Sequence, residues 1–510
     1  MGIRRKCNTM LSSNFKRTAA AFLVIANAFS VFGLTACSKT EPESETKTKA
    51  KVTHETTEVP VKSADELFAG CDKEYFVPFK DPSRSYCTIN DGLGTTLWSQ
   101  GMGGCYSYSA VSTMQSGYLK TKGELPDINP VDIINRIYES VDTKDGKEPQ
   151  YKEEKYYIRN VSALDLGGDI YRVAGSMCAD PLNGYLISEA NVFGSYKTSV
   201  NGAPELSEDD VKNIIRKRGA VSLAIHYSKD CTYTGGFYTQ NHPDNVKDAN
   251  HVATIVGWDD DFPADAFNIP ASRNGAWLVQ NSFGDFWGNS GFYWISYDTP
   301  IPEFNNCSVT REYSSALSYG RYPEKAVLST DVAARFADGN PTSGVSLEDI
   351  AGSKEVTAAT VYDHKGTIGA IGFWTAVPDQ PYTIEILDGR FGNVLACKSG
   401  KFEHMGYHTV KLDTPLKVKE FTVVIKVAGE LLFEGEPAEM NVYTVFQVFP
   451  AHYEAKTEPS RSFIKVGEEW IDVTDPSLKT SLGIDKLPQD FVRTTFSVTP
   501  GDPCITVLFI

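Results

Sequence analysis

This 510-residue chain has no cluster of basic residues and no paired ligand spacing of the CxxC or HExxH type. After its first 37 residues it also has no apolar run near the ~18 residues a membrane-crossing helix needs. Without a basic cluster, nucleic acid is excluded as a partner. Two histidines, His404 and His408, do stand four apart. Gly406 between them and a strand-like setting spoil a helical ligand face, so no metal and no cofactor is assigned. Acid outnumbers base, 65 residues to 49, for a net charge of −16. That balance excludes docking on anionic lipid by charge alone.

The length calls for two or three domains, and the composition is that of a globular protein. The first residues, "MGIRRKCNTMLSSNFKR", carry five bases and no acid, and "TAAAFLVIANAFSVFGLTA" is then almost wholly apolar or small. That order is expected of an export signal over residues 1–36. It closes on "LTAC", which resembles the lipobox of bacterial lipoproteins and implies a lipid on the sulfur of Cys37, with cleavage just before it. An ordinary cleaved signal or a plain anchor is the competing reading, with Cys37 incidental. Removing the signal takes the net charge from −16 to −21. Residues 38–63 hold no aromatic and almost nothing apolar, so 37–65 reads as the lipidated cysteine and a disordered tether. As a flexible coil it would average roughly 30 Å end to end.

Residues 66–315 mix a helical pattern after Cys105 (Tyr108, Val111, Met114, Tyr118) with later short strands such as "AVSLAIHY" and "HVATIVGW". Residues 325–500 are β-rich runs broken by Gly, Pro and Asp, the pattern of an antiparallel sandwich. Of the ten cysteines, Cys71 and Cys87 make the most plausible local bridge.

Cys105 follows "QGMGG" and opens the helical pattern. A thiol is a nucleophile only as thiolate, and a helix N-terminus lends it unpaired N–H groups and the positive end of a dipole. Gln100 can bring a side-chain amide to the same place, while Gly103 and Gly104 permit a tight loop and close approach of a substrate backbone. A base must come from elsewhere. His251 stands at the edge of the apolar strand "HVATIVGW", and Asn281 ends another, where its amide oxygen can hold the imidazole in one tautomer.

The blocks "QGMGGCYSYSA", "GAVSLAIHYS", "NHVATIVGWDD" and "GAWLVQNSFGDFWGNSGFYWISY" resemble, in order, the signature blocks of papain-family cysteine peptidases. The resemblance implies an α+β papain-like peptidase domain with Cys105 as nucleophile and His251 as general acid/base. Asn281 falls on the orienting amide and Gln100 on the oxyanion-hole side chain. Val252 falls where family members wall the pocket for the residue two before the cut, a hint of an apolar side chain there. Three departures stand out. Tyr106 and Phe283 replace the usual tryptophans, and the Gln100–Cys105 spacing is one residue short.

The C-terminal half resembles the lectin-like all-β antiparallel sandwich that many bacterial papain-like peptidases carry. Trp374 and Trp470 are read as core in preference to a glycan platform, and the triple acid Asp259–Asp261 as a turn. The whole implies an exported, lipid-anchored peptidase at the bacterial cell envelope. Its partners would be a peptide or protein substrate, the membrane through Cys37, and a glycan or protein ligand of the sandwich. The alternatives are an inactive homologue kept as a surface binding or adhesion module, and another thiol acyl transferase. The second of these fits less well, because such enzymes commonly orient their histidine with a carboxylate.

Overall fold

The computed structural model describes residues 100, 103–141, 155–198, 204–227, 232–234, 237–243, 249–284, 286–289, 291–323, 326–329, 355–435, 438–443, 448–454, 457–482 and 500–510. Residues 1–36, read above as an export signal, Cys37 with the expected tether, and the Cys71–Cys87 pair lie outside them.

An 18-residue helix, α1 (Cys105–Lys122), runs through the first half and ends at Gly123, whose left-handed φ of 78° and N–H to Leu119 close the last turn. Residues 106–116 and Tyr118 of α1 are buried, although many are Ser, Thr or Tyr. Over its first three turns the helix is buried all round and has no polar face to show, and here hydroxyl pairs do what an apolar stripe does elsewhere. Ser109 Oγ lies 2.7 Å from Ser222 Oγ and 2.8 Å from Thr254 Oγ1, and Thr113 Oγ1 accepts from Cys307 N–H at 3.0 Å. The helix is thus sewn to a sheet on which it lies. Among the described residues, three shorter α-helices follow in this half, α2 (Pro130–Ile137), α3 (Ile170–Cys178) and α4 (Glu208–Arg218).

The sheet strands that matter for the site are β1 (Leu186–Tyr196), β2 (Val221–Ile225), β3 (His251–Asp259), β4 (Ala276–Gln280), β5 (Phe292–Ser296) and β6 (Ile301–Thr310). Their order is β1-β6-β2-β3-β4-β5. All five pairings are antiparallel.

The C-terminal half is built on two very long strands, β7 (Glu355–Thr375) and β8 (Met405–Ala428), paired antiparallel along most of their length, with the last strand β9 (Ile505–Phe509) added to β7. The two halves are not beads on a string. Strand β8 pairs with β1, Met405 opposite Val192 through His408 opposite Glu189, so one sheet runs from the first half into the second. A second sheet is also mixed, with Lys155–Arg159 pairing Val448–Glu454. One core cluster holds Tyr106, Val111 and Met114 of the first half together with Trp374, Met405, Tyr407, Leu432 and Tyr453 of the second.

Trp374 is fully buried and stacks on Tyr171 at 4.9 Å. Trp470 packs on Phe391 at 5.0 Å beside a smaller cluster. In the acidic triplet, Asp259 accepts from the Asp261 N–H at 2.9 Å, and Asp260 accepts from Lys212 and Tyr297, which makes a pinned turn.

Candidate active site

Cys105 is the first residue of α1, after Gly104 at the N-cap, and there is no acidic residue in the first turn to oppose a thiolate. Its thiol is half-buried, and burial raises its pKa. Backbone N–H groups of Val252, Tyr106 and Cys105 itself point at the sulfur and act in the opposite direction. The Val252 contact fixes the geometry of the pair, because Val252 directly follows His251. Cys105 therefore sits at the first turn of α1, against the first residues of β3.

His251 is buried at the start of β3, opposite Ile225 of β2. Its Nε2 lies 2.8 Å from Asn281 Oδ1. That oxygen also accepts the Ser282 N–H at 2.8 Å, while Asn281 Nδ2 is buried without a partner among the described residues. Two donors at the oxygen fix the orientation of the amide. An amide oxygen only accepts, so Nε2 carries the hydrogen and Nδ1 is the basic nitrogen. Burial pulls the His251 pKa down to about 4, against the Asn281 hydrogen bond, which supports the charged form. Taken separately, then, burial holds both cysteine and histidine neutral. The three N–H groups at the sulfur favour its thiolate, and the Asn281 bond favours the charged imidazole.

Phe283 stacks on the imidazole at 5.0 Å and 30° between planes, and Tyr227 lies 5.5 Å away. Trp287 closes the cluster edge-on to Phe283 at 5.5 Å. A phenyl ring thus covers the His251–Asn281 bond and keeps water from competing for it.

Gln100 is placed beside the same strand end. Its N–H donates to Ser282 O at 2.8 Å and its Oε1 accepts from Ser282 Oγ. With the oxygen held, Nε2 remains as a donor. Gly101 and Met102, which carry the shortened spacing, lie outside the described residues.

Gly103 and Gly104 are buried, and the close approach they permit is to the protein's own loop and helix. A Cβ on Gly103 would fall 2.2 Å from Asp165 O, and one on Gly104 2.9 Å from the Tyr108 ring. The partner loop 162–169 went unnoticed in the sequence. It is held by Gly103 N–H to Leu164 O at 3.3 Å and by Tyr138 OH to Gly167 O at 2.6 Å. Tyr106 lies against its Gly168, where a Cβ would come within 2.6 Å of the ring. Ser282 was missed as well, and its only sequence signal is its place directly after Asn281. Among the described residues no group of His, Cys, Asp or Glu is arranged to hold a metal ion. His408 Nε2 contacts His404 O at 2.9 Å instead.

Residues 95–317 match the papain family of cysteine proteases, and residues 342–485 match the lectin-like domain. The chain is 26% identical over 238 residues to cysteine proteinase 5 of Dictyostelium discoideum, an alignment covering 44% of this chain and 64% of that protein. It is 22% identical over 226 residues to digestive cysteine proteinase 1 of Homarus americanus, covering 43% and 63%. It therefore spans less than two thirds of the length of these relatives. Among solved structures, the clostridial cysteine protease Cwp84 after propeptide cleavage shares its fold, with a TM-score of 0.52 at 19% identity over 81% of this chain and 96% of that one.

Proposed function

We propose that this chain, which joins a papain-family cysteine protease domain to a lectin-like domain, is a thiol peptidase tethered to the bacterial cell envelope by lipid on Cys37. The observation that carries the peptidase reading is the 2.8 Å His251–Asn281 bond beside a cysteine whose sulfur receives the Val252 N–H at the start of a long helix.

The Cys105 thiol gives its proton to His251 Nδ1, and the thiolate attacks the carbonyl carbon of a peptide bond. Charge collects on the carbonyl oxygen, where the Cys105 N–H and Gln100 Nε2 are its donors. Collapse of the tetrahedral adduct breaks the C–N bond, and His251 returns the proton to the departing amine. Water, deprotonated by His251, then attacks the thioester and releases the acid with the free thiol. Asn281 keeps the imidazole in one tautomer throughout.

The test uses residues 62–510 treated with a peptidyl epoxide, with intact mass recorded for wild type, Cys105→Ala and His251→Ala. One adduct on wild type, none on Cys105→Ala and a much slower one on His251→Ala are expected. A folded protein that takes up no adduct would sink the peptidase reading and leave a surface binding module. The anchor rests on "LTAC" at 34–37 and on the polar tether. It is tested by metabolic labelling of the full chain with a clickable fatty acid, which Cys37→Ser should abolish.

A further inference from the structure

Three tyrosines stand in register across neighbouring strands of the second sheet, Tyr138 opposite Tyr156 and Tyr156 opposite Tyr453 of the C-terminal half. Cross-strand partners share a face, and the ring centres are 5.7 Å and 4.6 Å apart along the row. The Arg172 guanidinium of α3 lies on this row, 5.1 Å from the Tyr156 ring centre and 5.9 Å from that of Tyr138. Its Nη1 donates to Tyr138 OH at 2.8 Å, and the same hydroxyl donates to Gly167 O at 2.6 Å. On its other side Nε lies 4.0 Å from Asp169 Oδ2. One buried cation thus holds the loop 162–169 on either side of Gly168, through Tyr138 at Gly167 and directly at Asp169.

Resting on the peptidase reading, we infer that Arg172 is a positioning residue of the reaction. Through Tyr138 and Gly167 it sets the turn that aims the Cys105 N–H at the oxyanion, and Tyr453 of the C-terminal half completes the platform that carries it.

The loop touches both neighbours of the nucleophile. Two residues before Cys105, Gly103 donates its N–H to Leu164 O at 3.3 Å and leaves no room for a Cβ against Asp165 O. One residue after it, the Tyr106 ring lies where a Cβ on Gly168 would come within 2.6 Å. The Tyr106 hydroxyl is buried in the same group, under the influence of Tyr138, Arg172 and Asp169. Gly167 and Gly168 have no side chains with which to anchor the turn themselves, so a donor from outside must hold the Gly167 carbonyl. Arginine suits this place better than lysine. Its planar fork serves two partners at once and stacks on aromatic faces, and those faces meet part of the charge that burial strips of water. Arg172 touches neither sulfur nor imidazole in this arrangement and acts only through the groups it holds. Oxyanion donors work only when aimed before the reaction starts, so a slack turn costs rate even where the thiol stays reactive.

The experiment uses the full chain, extracted with detergent, as wild type, Arg172→Met and Tyr138→Phe. Arg172→Met removes the charge, whereas Tyr138→Phe keeps the ring and removes only the hydroxyl between Arg172 and Gly167. Three quantities are measured on each protein: kcat and KM on a fluorogenic peptide that wild type cleaves, urea unfolding, and the rate at which iodoacetamide alkylates Cys105. That rate is read on the Cys105 peptide by mass spectrometry, so other thiols do not enter. Alkylation needs the thiolate but forms no oxyanion, while cleavage needs both. In each variant kcat should fall by about 10- to 100-fold with KM and the alkylation rate within about twofold of wild type. Equal falls in cleavage and alkylation, or a loss of stability with kcat kept in the folded protein, would reduce Arg172 to a structural role and overturn the inference. Should Arg172→Met not fold, Tyr138→Phe decides alone, and a wild-type kcat there refutes the inference while the peptidase reading stands. A wild type that neither cleaves peptides nor takes up a peptidyl epoxide removes the peptidase reading, and this one with it.

Discussion

Cutting the chain after residue 320 should destroy the peptidase half rather than liberate it. Five large side chains from beyond the cut, Trp374, Met405, Tyr407, Leu432 and Tyr453, are each no more than 2% exposed within the core cluster that also holds Tyr106, Val111 and Met114. Burying side chains of this size contributes about 1.5–3 kcal/mol each, so their removal withdraws roughly 8–15 kcal/mol of shared burial. That figure is as large as the entire stability of an ordinary domain, about 5–15 kcal/mol. The cut also strips β8 from β1, leaving the backbone groups of residues 189–192 unpaired at a new sheet edge. The assay is expression of residues 62–320 and 62–510, with urea unfolding followed by tryptophan fluorescence and active-site labelling on each. The shorter chain should be insoluble or unfold without cooperativity, and should not label. A soluble 62–320 fragment with a cooperative transition and a reactive Cys105 would refute the reasoning, and would mean that the shared core contributes little to the site.

Asn281→Ala should lower kcat by ~10- to 1000-fold with KM little changed, because His251 loses the acceptor that sets its tautomer. Asn281→Asp, which restores an acceptor, should recover part of that loss; equal activity in all three proteins would remove Asn281 from the mechanism. Gly103→Ala should destabilise the protein and abolish labelling, since its Cβ would sit 2.2 Å from Asp165 O. Normal unfolding and labelling would mean that the loop yields. Two buried titrating groups, His251 and Glu303, predict an unusual pH response. His251 has a folded pKa of about 4 against an ordinary ~6.5, so stability is lost as pH falls between those values. Glu303, at about 7 against an ordinary ~4.3, works in the opposite direction: its burial weakens the fold at neutral pH and ceases to as it takes up its proton. Glu303→Gln should therefore be more stable than wild type by about 3 kcal/mol at pH 7–8, an advantage that shrinks toward zero by pH 4.5. Urea unfolding at both pH values checks this, and a difference independent of pH would contradict it.

What could be read from the sequence, and what could not, divides along a physical line. Cys105, His251 and Asn281 were legible because each sits at an element boundary with a short-range signature: a glycine-rich turn before a helix, and polar residues at the ends of two apolar strands. The helical repeat of Tyr108, Val111, Met114 and Tyr118 was legible for the same reason, and all four prove buried. The contacts that complete the site are of another kind. Ser282 meets Gln100 from 182 positions away, and nothing near either residue announces the other. The loop 162–169 contacts Gly103 through its own carbonyl oxygens, which any sequence could supply, so only the missing Cβ on the other side left a trace. Glu303 is the sharpest instance. In the run "IPEFNNCSVT" it is one acid in a strand that pattern reading would place at the surface. Its burial follows from two registers, β6 on β2 and β2 on β3, that set it in line with Ala224 and Val252 inside the sheet. Strand register depends on long-range pairing and is invisible to local periodicity. The positions of Cys105, His251 and Asn281 were therefore written locally, whereas the contacts that surround them are held in the register of the sheet.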